Sequence, residues 1–295
     1  MKAAPFEYFR PASLEEAAER LSANADDGAM ILAGGQSLVP MMALRVAYAS
    51  ELIDLNAIKG IDTILHTAEG ITIHPLVRHA DFHDASVAPG PLGAVLSTIS
   101  RHIAHYPIRQ RGTFCGSLAH ADPSSEWCLV SAALDAKIEL LSVSGRRSVA
   151  AADWWVGMME TARESTEIIA AVHLPLVSDD TCWGFYEFNR RAGDFALGMA
   201  FCSFRLTEGR ITDARVAVGG IEEFPRRFVD AESVLDGAIP SPDIFAAAGR
   251  AVSEAATPLE DPATSASYRR DLAATVVQRA LDAAIQSKSN PALLA

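Results

Sequence analysis

Residues 29–35 read Ala-Met-Ile-Leu-Ala-Gly-Gly, an apolar run that ends on a glycine pair. A run this short, bounded by glycine, reads as a buried strand (Ala29 to Ala33) and not as a helix. Paired glycines at its end let the backbone turn sharply and expose consecutive N–H groups. Such a nest holds an anion, for instance a pyrophosphate, without a cationic side chain. Gln36 and Ser37 follow directly and add an amide and a hydroxyl donor. Gly-Gly is equally the mark of a plain strand-to-loop turn. The chain contains neither a G-x-G-x-x-G dinucleotide fingerprint nor a G-x-x-x-x-G-K-[ST] phosphate loop.

The pattern around this strand divides the chain into three zones. Residues 1–56 begin with a helix whose capping box is Ser13 and Glu16, with Ala17, Ala18 and Leu21 on one face. The strand and its glycine turn come next, then a second apolar stretch, Leu38 to Leu44, and a short strand at 51–55. This alternation is an α/β pattern. Residues 57–177 hold a strand at 71–74, a helix over 91–105 and a long loop over 106–122. Asp122-Pro123 then reads as N-cap and N1 of a helix reaching Ala133. A hairpin (Lys137–Val143 and Arg147–Ala150) and a strand from Ile168 to Leu174 close the zone. Residues 178–295 carry two apolar strands, Gly198–Leu206 and Ile211–Val218. A helix capped by Ser241-Pro242 and a long terminal helix marked by Tyr268, Leu272, Val276, Leu281 and Ile285 complete an α+β unit.

The loop from 106 onwards is the least ordinary stretch. It reads Ile108-Arg109-Gln110-Arg111-Gly112-Thr113-Phe114-Cys115-Gly116-Ser117-Leu118-Ala119-His120-Ala121-Asp122-Pro123. Its small residues permit a planar or phosphorylated ligand to approach the backbone. The following helix points its positive N-terminus at whatever occupies the loop. Glu126 stands in that first turn, where a carboxylate is stabilised and can accept from sugar hydroxyls.

Composition excludes several classes of function. The 295 residues include 25 basic and 37 acidic ones, a net charge of −12, and the pI is near 5.1. A nucleic-acid partner requires a basic face, which this balance opposes. The charge-free runs 28–44 and 85–100 are interrupted by glycine and proline and fall short of the ~20 apolar residues of a membrane span. The opening Met-Lys-Ala-Ala-Pro-Phe lacks the apolar core of a secretory signal, so a cytoplasmic location is expected. Cys115, Cys128, Cys182 and Cys202 are spaced neither as a zinc knuckle nor as an iron–sulfur loop, and read as reduced thiols.

The two glycine stretches taken together are far more specific than either alone. A-G-G-x-S after a strand, followed by I-R-x-R-G-T-x-x-G-S-L-A-H-A-D-P, resembles the FAD-binding medium subunit of molybdenum hydroxylases. That group includes the carbon monoxide dehydrogenase medium subunit and the xanthine dehydrogenase flavin domain. The opening Phe6, Tyr8, Pro11, Ser13, Leu14, Glu16, Ala17 and the later Arg190–Ala196 (Arg-Arg-Ala-Gly-Asp-Phe-Ala) extend the resemblance over nearly the whole chain.

The resemblance implies a two-subdomain FAD-binding fold of the PCMH type (residues 1–56 and 57–177) and a C-terminal α+β domain (178–295) with an antiparallel sheet and helices. It implies that Ala33, Gly34, Gly35, Gln36, Ser37 and Leu38 contact the FAD pyrophosphate. Thr113, Phe114, Cys115, Gly116 and Ser117 form the second cradle. Glu126 bonds the sugar or ribitol region, the backbone at Ile169 approaches the ring, and Tyr186 lies near the isoalloxazine. Asp194 either serves the same pocket or pairs with Arg190 or Arg191. A bulky residue at position 35 is expected to abolish FAD retention, because its Cβ would fill the pyrophosphate's space.

No histidine in the A-G-G-Q-S loop offers a covalent attachment, so FAD is expected to be non-covalent. The family often has Gly-Gly where this chain has Cys115-Gly116. If position 115 required a positive φ, a cysteine would cost ~1–2 kcal/mol there. Gln110 stands where asparagine is common. His102 and His105 could share a metal but lack a third ligand, His120 reads as a structural hydrogen-bonding group, and Trp154-Trp155 as packing. No catalytic acid or base and no metal site is expected on this chain. The implied assembly is a heterotrimer, or a dimer of heterotrimers. A small subunit would carry [2Fe–2S] clusters and a large one the molybdopterin cofactor, and this chain would pass electrons through FAD to an external acceptor. The alternatives are a stand-alone FAD-dependent oxidoreductase of the same superfamily and a flavin-free scaffold subunit.

Overall fold

The computed structural model describes residues 2–262 and 264–289. The N-terminal unit runs β1 (Glu7–Phe9), α1 (Leu14–Asn24), β2 (Ala29–Leu32), α2 (Leu38–Ala43) and β3 (Glu51–Asp54). Its three strands are parallel in the order β1-β3-β2. Ser13 Oγ caps α1 by accepting from Glu16 N at 3.1 Å. The returning Glu16 carboxylate meets the amide of Ala12 at 2.5 Å, not that of Ser13, so only half of the expected box forms. Leu14, Ala17, Ala18 and Leu21 are its buried face. The second apolar stretch is the short helix α2.

The next unit contains β4 (Ile64–His66), β5 (Gly70–Ile73), α3 (Pro91–Ser100), α4 (Tyr106–Arg109), α5 (Phe114–His120), α6 (Glu126–Ala133), β6 (Lys137–Ser142) and β7 (Gly145–Ala150). A two-stranded ribbon, β8 (Trp155–Gly157) with β9 (Glu160–Thr161), leads to β10 (Ile168–Pro175). The sheet is antiparallel in the order β4-β5-β10-β6-β7. The stretch 106–122, expected to be an irregular loop, is largely helical as α4 and α5. The helix expected to open at Asp122-Pro123 begins three residues later. Asp122 Oδ1 instead accepts from Ser124 N at 2.8 Å in a local turn, and Ser125 Oγ caps α6 through Cys128 N. Asx turns and caps draw on the same side-chain chemistry, and here the turn takes Asp122.

The C-terminal unit contains β11 (Cys182–Phe188), β12 (Gly198–Thr207), β13 (Arg210–Gly219), β14 (Arg226–Arg227), α7 (Val229–Leu235), α8 (Pro242–Ala255) and α9 (Ala266–Ser289). Its four strands form an antiparallel sheet in sequence order. Both faces of this sheet are covered. Trp183, Met199 and Phe201 join the core built on Phe82, Phe114 and Trp127, whereas Cys182, Ala200 and Cys202 join the core built with α8 and α9. This two-sided burial explains why residues 198–204, apart from the buried Ser203, are apolar without alternation. At Gly184 a Cβ would collide with the carbonyl oxygen of Ala280, so glycine lets α9 lie directly on β11. All four cysteines are buried and none forms a disulfide.

Candidate functional site

The two glycine stretches meet. A Cβ on Gly34 would collide with the carbonyl oxygen of Arg111 and lie 2.8 Å from Gly112 Cα. A Cβ on Gly112 would in turn strike the ring of His79. These two glycines therefore serve the approach of one loop to the other. Gly35 differs: its φ is +72°, and a Cβ there would meet Leu32 and Val39 at 3.2 Å. What position 35 requires is the left-handed backbone itself.

A latch of side chains holds the loops in register. Asn56 Nδ2 donates to Ala33 O at 2.8 Å, and its Oδ1 accepts from Arg78 Nη2 at 2.6 Å. Arg78 Nη1 then donates to Arg111 O. Asp54 positions Asn56 by accepting from its backbone amide at 3.0 Å, and Tyr8 Oη donates to the other Asp54 oxygen. Neither Asn56 nor Arg78 was marked by a motif; they stand in the connections that follow β3 and β5, where no local pattern singles them out.

Between the loops opens a cavity of about 770 Å³, within the range of small-molecule and cofactor sites. Ala33, Gly34, Gly35, Gln36, Ser37 and Leu38 line one wall. Among the described residues no acceptor meets the amides of Gln36, Ser37 and Leu38, and the Ser37 hydroxyl makes no cap bond to α2. Thr113, Cys115, Gly116, Ser117 and Glu126 line the opposite wall, with Ile169 beside them. A register shift between Ile169 and Ala171 bulges β10 at this point. The loop before β12 closes the mouth. Gly193, at φ +86°, sits against the His105 ring, and Asp194 and Phe195 line the cleft. Phe195 is 75% exposed, an unusual position for a large apolar ring. Across the seam, Gly220 N donates to Pro123 O at 2.8 Å and Ser124 Oγ to Ala196 O at 2.9 Å.

The chain resembles two domain families over adjoining spans. Residues 4–177 match the FAD-binding domain in molybdopterin dehydrogenase, and residues 183–284 match the CO dehydrogenase flavoprotein C-terminal domain. The chain belongs to the family of FAD-binding medium subunits of molybdenum hydroxylases. Nicotine 6-hydroxylase medium subunit of Paenarthrobacter nicotinovorans is 38% identical over 281 residues, covering 95% of this chain and 98% of that one. The carbon monoxide dehydrogenase medium chain of Hydrogenophaga pseudoflava is 30% identical over 95% of this chain and 96% of that one. The solved structure of quinoline 2-oxidoreductase from Pseudomonas putida 86 superposes with a TM-score of 0.91 at 34% identity, covering 98% of this chain and 100% of that one. As a family member the chain is an oxidoreductase subunit with an FAD-binding domain.

Of three expected contact residues, Cys115 lines the cavity of this medium-subunit fold, whereas Phe114 and Tyr186 do not. Phe114 is fully buried, its ring 4.9 Å from Trp127 and 5.6 Å from Phe82, so it supports the cradle from behind and does not line it. Cys115 lends the wall its backbone, while its thiol turns inward and donates to Ile73 O at 3.7 Å. Cys115 is not among the positive-φ residues, so the feared backbone cost does not arise. Burial raises its thiol far above the ordinary range, which leaves it inert. Tyr186 lies outside the cavity. Its hydroxyl accepts from Arg279 Nη1 and its ring lies 4.9 Å under that guanidinium. Strand alternation is the reason: Gly184 and Tyr186 face α9, whereas Phe185 and Glu187 face the FAD-binding half.

Sequence reasoning passed over Phe195, although it stands in the Arg190–Ala196 stretch, and over His79 and Glu187. His79 Nδ1 accepts from Trp127 Nε1 at 2.9 Å. His102 lies beside Glu187 and His105 against Gly193, and no group of three metal-capable side chains occurs among the described residues. His120 lines the cavity, and burial lowers its pKa and keeps it neutral. Trp154 is buried with Nε1 donating to Leu118 O at 3.1 Å, a packing role. Among the described residues no helix is long and apolar enough to cross a membrane.

Proposed function

We propose that this chain holds one non-covalent FAD in the cleft and relays electrons from [2Fe–2S] clusters of a small partner subunit to an external acceptor. A large partner would oxidise substrate at its molybdopterin cofactor, in a heterotrimer or a dimer of heterotrimers located in the cytoplasm. The observation that carries the reading is the convergence of both glycine loops on one cavity, with the Gln36–Leu38 amides unpaired and Phe195 bare at its mouth.

In this reading the Gln36–Leu38 amides and the Ser37 hydroxyl bind the pyrophosphate, and Thr113 to Ser117 form the second cradle. Glu126 accepts from sugar hydroxyls, the bulged backbone at Ile169 borders the ring, and Phe195 covers it. Phe195 thus takes the place expected for Tyr186. FAD, when bound, takes electrons one at a time and releases them in pairs. The protein positions it, excludes water and tunes its potential, and no side chain of the chain acts as a nucleophile. The FAD-binding half would comprise residues 1–56 and 57–177, with the C-terminal domain at 178–295.

An absorbance spectrum of the tagged chain from its own host, with mass spectrometry of its companions, tests this. Flavin bands near one per chain, with an iron–sulfur and a large molybdopterin polypeptide, are the expected result. A yellow solitary chain would mean a stand-alone flavoenzyme. A colourless chain that takes up no added FAD would mean a scaffold subunit.

A further inference from the structure

Behind the cleft wall, Glu126 in the first turn of α6 and Glu187 near the end of β11 are acids near enough for the charge of one to act on the other, and among the described residues neither forms a salt bridge with a lysine or arginine. The Glu187 side chain is 1% exposed. Its Oε1 accepts from Asn189 Nδ2 at 3.0 Å, and its Oε2 has no hydrogen-bond partner. The nearest basic group is His102, whose Nδ1 lies 3.7 Å from Oε2, beyond hydrogen-bonding length. Glu126 forms part of the cavity wall and senses the charge of Glu187. On its other side stand Asp122, a third acid, and Arg109. Arg109 Nη1 donates to the carbonyls of Ile103 and Ala104 at 2.7 and 2.8 Å, its Nε is buried without a hydrogen-bond partner, and the residue forms no salt bridge with either acid.

Burying one unpaired carboxylate is costly, and two neighbouring ones cannot both be ionised cheaply. Burial first, and then the charge of Glu187, raises the pKa of Glu126; burial raises that of Glu187. Burial also keeps His102 neutral, so it does not supply the missing cation.

We infer that Glu126 and Glu187 form an acid pair that holds one shared proton across the seam between the FAD-binding half and the C-terminal domain. Resting on the FAD reading above, the pair is coupled to the cleft through Glu126, which belongs to both. Negative charge arriving in the cleft strengthens the pair's hold on a proton, and the proton comes from solvent onto a carboxylate oxygen. By linkage the protonated pair strengthens the binding of that charge. The pair is thereby a local proton acceptor that offsets charge brought to the flavin site.

The sign of the stability effect follows. Acids whose folded pKa is raised stabilise the fold below the ordinary carboxylate range, and that stability is lost as pH climbs towards and through the raised values. Thermal melts of the full chain without FAD, from pH 5 to 9, are compared for the natural chain, Glu187→Gln and Glu126→Gln. Infrared spectra at pH 7 accompany them. The natural chain is expected to lose stability as pH rises and to show a buried protonated-carboxyl band. Either glutamine variant relieves the remaining acid of its neighbour's charge, and should weaken and shift the band and flatten the upper part of the melting profile. Unchanged profiles and an unchanged band in both variants would overturn the acid pair.

FAD titrations in two buffers of different ionisation enthalpy test the coupling. Proton uptake on binding is expected in the natural chain and its loss in Glu187→Gln; equal uptake in both would overturn the coupling. Failure of the natural chain to bind FAD would overturn the cofactor reading, while the melts and spectra still decide the pair.

Discussion

Trp127 Nε1 donates a 2.9 Å hydrogen bond to His79 Nδ1 in the core directly behind the second glycine stretch. An indole N–H only donates, so Nδ1 must carry the lone pair and the imidazole proton must sit on Nε2. That ring packs on Gly112 and borders the cavity. Burial, then the charges of Arg78 and Arg109, hold His79 down at about 3. It is therefore neutral at neutral pH.

A pH dependence follows from that depressed value. Below the ordinary histidine value the unfolded chain takes a proton that the folded chain refuses. Stability from His79 is complete above that value and falls as pH drops toward about 3, by about 1.4 kcal/mol per pH unit. Urea unfolding between pH 4 and 7 should show this slope, and His79→Gln should reduce it. The sign is opposite to that of the acid pair, so the two effects separate on the pH axis.

Trp127→Phe removes the donor to His79 and leaves Nδ1 buried without a partner. The expected destabilisation is ~1–3 kcal/mol from the lost bond, read as a lower urea midpoint. A nuclear magnetic resonance spectrum of ring nitrogens should then show that the single Nε2–H tautomer is no longer enforced.

The two adjacent glycines should respond differently to alanine. Gly35→Ala strains a left-handed backbone at ~1–2 kcal/mol, and its Cβ meets only side chains. Gly34→Ala strikes the backbone of Arg111 and Gly112 and must separate the loops. Gly34→Ala should therefore lose more FAD affinity than Gly35→Ala in fluorescence titrations. The reverse order would mean that the nest, and not the contact between loops, sets the cradle.

Phe195→Ala should leave the melting temperature of the FAD-free chain nearly unchanged, because the ring is 75% exposed. FAD affinity should weaken by ~0.5–1.5 kcal/mol, the scale of an aromatic pair. Tyr186→Phe, which loses only its link to Arg279, should bind FAD normally.

The latch is tested by Arg78→Lys. A guanidinium fork spans Asn56 Oδ1 and Arg111 O together, and an ammonium cannot reproduce that geometry. Looser FAD binding with the charge retained is the expected outcome. Affinity equal to that of the natural chain would show that the loops hold their register without Arg78.

Much of this protein was legible along the chain because its causes are local. Apolar periodicity marked α1, β2, the β6–β7 hairpin, α8 and α9, and Ser13 and Ser241 marked their caps. The glycine stretches announced a cradle because backbone freedom is a property of single residues. Other features depend on which segments meet in space. Only the packing of β11 between two cores decided that Tyr186 faces α9 and Glu187 faces the flavin half, since a strand's two faces are equivalent until both are covered. Only the docking of one loop on the other decided that Gly34 serves Arg111 while Gly35 serves its own φ. The burial that leaves Glu187 Oε2 without a hydrogen-bond partner and His79 uncharged also arises there, because desolvation comes from neighbours remote in sequence. The sequence by itself determined the elements and the cradle's residues; tertiary structure determined which side chains reach the cleft and which charges they carry.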